Sequence, residues 1–200
     1  MIKYYGIILE KIILLLLLSV FFINCASAEG RLANMGAEVF YQNFSKYTKI
    51  DPPMEISTLQ YMSKFEQEIQ IQKPFKGLYP YGFMVKDLYN SYNRAVVIVF
   101  TTATGYIDSI TVLDRSDSYL ANDKKLYMRC SIRAMQALGI PLHEIGKMAE
   151  DDFMGDISGQ ATTHIYSDAL SKEVYWTIRY EEPLIVLIDY MPIEDRFAMP

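Results

Sequence analysis

The spacing of apolar residues in the first half of the chain predicts two helices followed by a loop. From Leu32 to Tyr47 apolar residues recur every three or four positions, which is the spacing of one helix face. Asp51-Pro52-Pro53 ends this helix, because proline lacks the backbone N–H that a helix needs. Helical spacing resumes from Met54 to Ile71 and predicts a second helix, with a strand as the alternative at its end, where residues 68–72 alternate between polar and apolar. Lys73 to Asn93 mixes prolines, glycines and tyrosines and is predicted to be a long irregular loop.

The second half of the chain is dominated by patterns typical of strands. Ala95 to Phe100 and Tyr106 to Leu113 are rich in β-branched residues, and the short link between them contains Gly105, so they predict a β-hairpin. The remaining predicted elements are a helix over 126–138 closed by Gly139, a helix from Pro141 to Met148, strands over 162–166, 173–180 and 184–190, and a turn at 181–183.

This order of elements indicates an α+β fold. The helices come in pairs and the strands in runs, whereas a parallel sheet needs strands that alternate singly with helices. We therefore expect a mainly antiparallel sheet, built from the hairpin and a C-terminal three-strand meander and packed with helices.

The start of the chain has the pattern of a cleavable secretory signal peptide. A weakly basic leader precedes the apolar run from Ile12 to Ile23, which would extend about 18 Å as a helix, well short of the roughly 30 Å hydrocarbon core of a membrane. Ala26 and Ala28 then place small side chains where signal peptidase requires them. The prediction is cleavage after Ala28, with residues 1–28 as the signal peptide and residues 29–200 as a single globular domain that is periplasmic or secreted.

Two alternatives to simple cleavage remain open, and both also place the domain outside the cytoplasm. Cys25 could carry the lipid of a lipoprotein, although the preceding Phe22-Ile23-Asn24 does not match a lipobox. An uncleaved anchor would require a longer apolar stretch than the chain offers.

Charge and cysteine content narrow the choice of partners. The net charge is −5, which disfavours nucleic acid and anionic lipid, since both are bound largely through Lys and Arg. Cleavage would remove Cys25 and leave Cys130 alone, so no disulfide within the domain is expected. An exported domain without disulfides fits a bacterial envelope or a bacterial secreted protein.

Common catalytic and metal-binding motifs are not recognised in this sequence. His143-Glu144 begins like the zinc-protease helix, but Lys147 stands where the second histidine should be. The other histidine, His164, lies in a predicted strand, and Cys130 lies on an apolar helix face, as an unreactive core thiol would. The acidic cluster of Glu150, Asp151, Asp152 and Asp156 does not have the spacing of a calcium loop. We therefore assign no catalytic residue, metal site or cofactor.

The most distinctive stretch is the aromatic segment from Phe75 to Phe83. Tyrosine combines a large contact area with few rotatable bonds and one hydroxyl, which suits a binding surface. Tyr79, Tyr81 and Phe83 are the predicted ligand- or partner-binding residues; the alternative is that these rings cover the core.

These observations favour an exported binding or accessory domain without catalytic activity that contacts another envelope or extracellular protein. Whether the chain is an enzyme is left open. The alternatives are an exported hydrolase whose catalytic residues meet only in the fold, and a carrier with a small-ligand pocket between sheet and helices.

Overall fold

The computed structural model of the chain describes residues 30–62, 75, 77–116, 126–150, 154–155, 159–180 and 184–198. The predicted signal peptide and the predicted turn at 181–183 lie outside the described residues. Among the described residues, no helix is both long and apolar enough to span a membrane.

Helices and strands occupy the following ranges. The helices are α1 (Ala37–Lys46), α2 (Leu126–Ala137), α3 (Leu142–Glu150) and α4 (Ile193–Ala198). The strands are β1 (Met54–Ile56), β2 (Gln60–Tyr61), β3 (Tyr79–Asp87), β4 (Arg94–Thr101), β5 (Ile107–Asp114), β6 (Met154–Gly155), β7 (Gln160–Ser167), β8 (Lys172–Arg179) and β9 (Ile185–Asp189).

The strands form a single antiparallel sheet. Its order is β1-β3-β4-β5-β9-β8-β7-β6, and β2 also pairs with β3. Every strand pair described is antiparallel. The predicted hairpin is β4–β5 and the predicted meander is β7-β8-β9, and β5 pairs with β9 to join them. The prediction of an α+β fold with a mainly antiparallel sheet is confirmed.

Glycines end two of the correctly predicted elements. Gly105, in the β4–β5 turn, has a φ of 82°, and Gly139, just after α2, has a φ of 95°. Residues with a Cβ rarely adopt these angles, which explains why glycine stands at both positions.

The predicted second helix is wrong over its first part. Residues 54–56 and 60–61 form β1 and β2, both paired with β3, and residues 63–74 lie outside the described residues. The helical spacing of apolar residues there is overridden by pairing with β3, which satisfies the backbone of this segment.

The predicted long loop is also wrong, because its central nine residues, Tyr79–Asp87, form strand β3. The carbonyl of Pro80 accepts the Met62 N–H at 3.0 Å and therefore points towards the short edge strand β2. The backbone nitrogen of Pro80 points to the same side, away from β4. Proline is tolerated here because no hydrogen bond to β4 is lost. Gly82 packs closely against Met62, since a Cβ at this position would collide with the Met62 side chain unless that side chain moved.

The two faces of the sheet are covered unequally. The larger core lies under α1, α2 and α3 and includes Phe40, Phe44 and Trp176, which are all at most 1% exposed. A smaller cluster on the opposite face includes Phe75, Phe100 and Leu187, together with Ile193 of α4. The short C-terminal helix, which the sequence pattern did not predict, therefore covers part of the second face.

Candidate functional site

The three predicted binding residues lie on one face of β3 but differ in exposure. Tyr79 is 45% exposed, Tyr81 is half-buried and Phe83 is 2% exposed. The ring of Phe83 makes edge contacts with Tyr41 and Phe44 of α1, each at a centroid distance of 5.1 Å. Phe83 is thus a core residue, because the same strand face that is open at Tyr79 runs beneath α1.

Tyr61 of β2 extends the exposed end of this face. Tyr61 is 53% exposed and pairs in register with Tyr81, and the two rings meet edge to face at 5.5 Å. Tyr61, Tyr79 and Tyr81 form what we call the tyrosine edge. Two of the three predicted residues, Tyr79 and Tyr81, are therefore at least partly exposed. The structure adds Tyr61 of β2, which the sequence pattern placed in a helix.

A second exposed aromatic group lies at the other end of β3, in the turn to β4. Leu88, Tyr89 and Tyr92 are 57%, 75% and 46% exposed, and we call residues 88–92 the hairpin tip. The sequence segment 73–93 is rich in tyrosine, but only the strand pairing of β3 with β4 places these side chains on a tight turn.

Side chains at the base of the hairpin tip hold its backbone in place. The carboxylate of Asp87 accepts the Tyr89 N–H at 2.8 Å, and the side-chain oxygen of Asn90 accepts the Tyr92 N–H at 3.1 Å. Asp87 is 5% exposed and forms an ion pair with Arg129 of α2. The hairpin tip is therefore anchored to the body of the domain while its large side chains face solvent.

Beneath α4 lies a buried ionic cluster that sequence reasoning did not find. Arg196 is 2% exposed, and its Nε and Nη2 donate to the two carboxylate oxygens of Asp189 at 2.8 and 2.7 Å. Its Nη1 lies 2.6 Å from Oδ2 of Asp108, but without the alignment of a well-directed hydrogen bond. The three side chains, which we call the α4 clasp, join β5, β9 and α4.

A β-bulge explains how Asp108 reaches Arg196. Phe100 pairs with Ser109, whereas the next residue, Thr101, pairs with Ile107, so Asp108 is an extra residue in β5. A bulge of this kind redirects a side chain out of the normal alternation. Asp108 thereby joins Asp189 on the second face, a placement that regular strand alternation does not predict.

Burial dominates the titration behaviour of the α4 clasp. Burial raises the pKa of Asp189 to about 6, and the hydrogen bonds and charge of Arg196 only partly oppose this shift. Burial also raises the pKa of Asp108, again against the influence of Arg196. Both carboxylates contact the same guanidinium, and the charge of Asp108 adds to the rise in the pKa of Asp189.

A small cavity next to the α4 clasp has room for about one water molecule. Its volume is about 10 Å³, and its lining includes Phe75, Thr111, Arg179 and Arg196. A water molecule needs roughly 10–15 Å³. This cavity is far too small for an organic ligand, so it does not favour a carrier.

The remaining candidate groups are not assembled into a reactive site in the described part of the chain. His143 is exposed on α3, and His164 is exposed on β7, where its ring stacks on Tyr175 at 5.2 Å. No group of three or more His, Cys, Asp or Glu residues is placed to hold a metal ion among the described residues. Burial raises the pKa of Cys130 to about 12. Asp151, Asp152 and Asp156 of the acidic cluster lie outside the described residues.

No protein-family model matches the chain, and a search of curated proteins gives no significant match.

Proposed function

We propose that the chain is an exported binding domain that contacts another envelope or extracellular protein and does not itself catalyse a reaction. Signal-peptide cleavage after Ala28 would release the domain beyond the inner membrane, in the periplasm or outside the cell. The net charge of −5 argues against nucleic acid as the partner.

The observation that carries this proposal is the anchored hairpin tip. Tyr89 is 75% exposed while its own N–H is bound to the buried carboxylate of Asp87. An exposed aromatic side chain on a fixed backbone loses little conformational freedom on binding, which is why tyrosine is frequent among residues that dominate binding energy. Leu88 and Tyr92 extend the apolar area on the same turn.

The tyrosine edge is a second contact surface within the same proposal. Tyr61 and Tyr79 are about half exposed, and Tyr81 supports the Tyr61 ring from the neighbouring strand. Strand β3 runs nine residues from Tyr79 to Asp87, and its eight steps separate this surface from the hairpin tip by roughly 26 Å. Substitutions at the two surfaces can therefore be made and interpreted separately.

The test starts with crosslinking and ends with a measured affinity. A photoreactive amino acid at position 89 would capture the partner from envelope extract, and the identified partner would then be purified and titrated with the mature domain. We expect the Tyr89→Ala, Tyr92→Ala double variant to lose affinity at least about tenfold, as a loss of 1.4 kcal/mol or more would produce. Tyr79→Ala with Tyr81→Ala measures the contribution of the tyrosine edge.

Tyr166→Ala is the matched control, because Tyr166 is 54% exposed on β7, away from both surfaces. Its affinity should equal that of the unmodified domain. The binding proposal fails if neither double variant weakens the complex, or if Tyr166→Ala weakens it as much as they do.

Export is tested independently by the mass of the native protein. Cleavage after Ala28 predicts Glu29 as the first residue. A protein recovered from the cytosol with Met1 still attached would contradict both the location and the class of partner.

A further inference from the structure

We propose that the α4 clasp is a proton-binding site, which takes up one proton in mild acid while it keeps α4 docked on the sheet. This inference is independent of the proposed binding function, because it concerns only the buried face beneath α4.

The buried charges of the α4 clasp are unequal in number. When ionised, Asp108 and Asp189 carry two negative charges against the single positive charge of Arg196, and each of the three residues is at most 4% exposed. Removing charges from water is costly unless they are matched by partners. One proton on the pair of carboxylates would make the α4 clasp neutral, so burial favours its uptake.

The two carboxylates of the α4 clasp are held unequally by Arg196. Asp189 is held by two aligned hydrogen bonds from Arg196 and accepts the Tyr190 N–H at 2.7 Å. Asp108 has a short ion-pair contact with Nη1 and a smaller hydrogen-bonding contribution from Ser109, and its Oδ2 has no aligned donor. A proton on the pair therefore leaves the Arg196–Asp189 hydrogen bonds in place, and these are what attach α4 to β9.

The neighbouring groups define the surroundings in which the proton binds. Tyr190 follows Asp189, and its ring centre lies 5.3 Å from the Arg196 guanidinium carbon. Tyr175 of β8 pairs in register with Asp189, and Arg179 lines the same cavity as Arg196. On α4 itself, Glu194 and Asp195 are exposed, and Gln160 donates a hydrogen bond to Glu194. Burial raises the pKa of Tyr190 to about 12, so Tyr190 stays protonated throughout the pH range of interest.

The sign of the effect on stability follows from linkage. Because burial raises the pKa of both aspartates above the value in the unfolded chain, the folded state binds more protons in mild acid. The unfolding free energy contributed by the α4 clasp therefore rises as the pH falls from about 7 towards 5. For a pKa raised from 3.8 to about 6, linkage gives a gain of about fourfold in the folding equilibrium constant between pH 7.5 and 5.5, and the full gain of about a hundredfold is reached only below about pH 4.

The experiment compares the domain with Asp108→Asn, which mimics the protonated form and removes the excess charge. Urea unfolding, followed through the fluorescence of the single tryptophan, Trp176, is measured at pH 7.5, 6.5 and 5.5. Asp108→Asn should be at least as stable as the unmodified domain at pH 7.5. Its advantage should shrink by about fourfold in the equilibrium constant by pH 5.5. Asp168→Asn, at an exposed aspartate, is the matched control and should show no such change.

Either of two results would overturn the inference. One is a difference between Asp108→Asn and the unmodified domain that is the same at all three pH values. The other comes from a carboxyl-carbon NMR titration of the unmodified domain, which does not depend on the variant folding. The titration should show at least one of the two aspartates protonating well above the usual value of about 3.9. Protonation of both below pH 4 would refute the proposal.

Discussion

Replacing Phe83 by alanine tests whether this residue belongs to the core or to the surface. Phe83 is 2% exposed and contacts Tyr41 and Phe44 with ring centroids 5.1 Å away in each case. Truncation of a buried phenylalanine typically costs 3–5 kcal/mol, because the lost transfer free energy is added to the cost of the cavity. Each aromatic edge contact contributes about 0.5–1.5 kcal/mol beyond area burial, so we expect the upper half of this range.

The matched variant is Tyr79→Ala, four residues earlier on the same strand face. Tyr79 is 45% exposed, so its truncation should change the unfolding free energy by no more than about 0.5 kcal/mol. Both variants can be followed by urea unfolding with Trp176, which is 1% exposed and reports on the main core. In a thermal scan, a loss of 4 kcal/mol corresponds to a fall of roughly 8–16 °C for a domain of this size.

The reasoning would be refuted if Phe83→Ala left stability within about 0.5 kcal/mol of the unmodified domain. It would equally be refuted if Tyr79→Ala were as destabilising as Phe83→Ala, since the two side chains would then have the same environment.

Further predictions concern the α4 clasp, the buried thiol and two glycines. Arg196→Met should lower the unfolding free energy by about 3–5 kcal/mol at pH 7.5, because it leaves buried carboxylates unpaired. The loss should be smaller at pH 5.5, where the carboxylates accept protons. Urea unfolding at both pH values measures the difference. Cys130 should react with a thiol reagent at pH 8 only when urea unfolds the domain, because burial raises its pKa to about 12. Gly139→Ala should lower stability by about 1–2 kcal/mol, because its φ is 95° and no steric clash contributes. Gly146→Ala, inside α3 and also free of clashes, should raise stability by up to about 1 kcal/mol in the same thermal scan.

Local patterns were sufficient for helices with a regular apolar stripe and for strands that pair with the next strand along the chain. The α2 helix carries a regular apolar stripe that includes Leu126, Cys130 and Ala134, all fully buried as the spacing predicts. The strands of the β4–β5 hairpin and of the C-terminal meander follow one another along the chain with short links. Their pairing can therefore be predicted from neighbouring residues in the sequence.

The errors occurred where distant segments decide the conformation. Residues 54–61 have helical spacing, but β3 offers them hydrogen-bond partners, and β3 itself contains Pro80 and Gly82, which normally indicate a loop. Neither residue breaks the strand, because the nitrogen of Pro80 faces the edge and Met62 packs against Gly82. These reasons depend on neighbours that sequence spacing does not identify.

In the candidate sites, too, some features were visible in the sequence and others depended on the fold. The aromatic content of residues 75–92 could be seen in the sequence, but the exposure of Tyr79 and Tyr89 and the burial of Phe83 depend on where α1 crosses the sheet. The α4 clasp required a bulge at Asp108, the pairing of β5 with β9 and the return of α4 over the second face. The sequence alone determined the class of fold and most helices and strands, because these depend on apolar periodicity and turn residues within a short window. Only the tertiary structure decided which side chains are buried together, because burial depends on contacts between residues far apart in the chain.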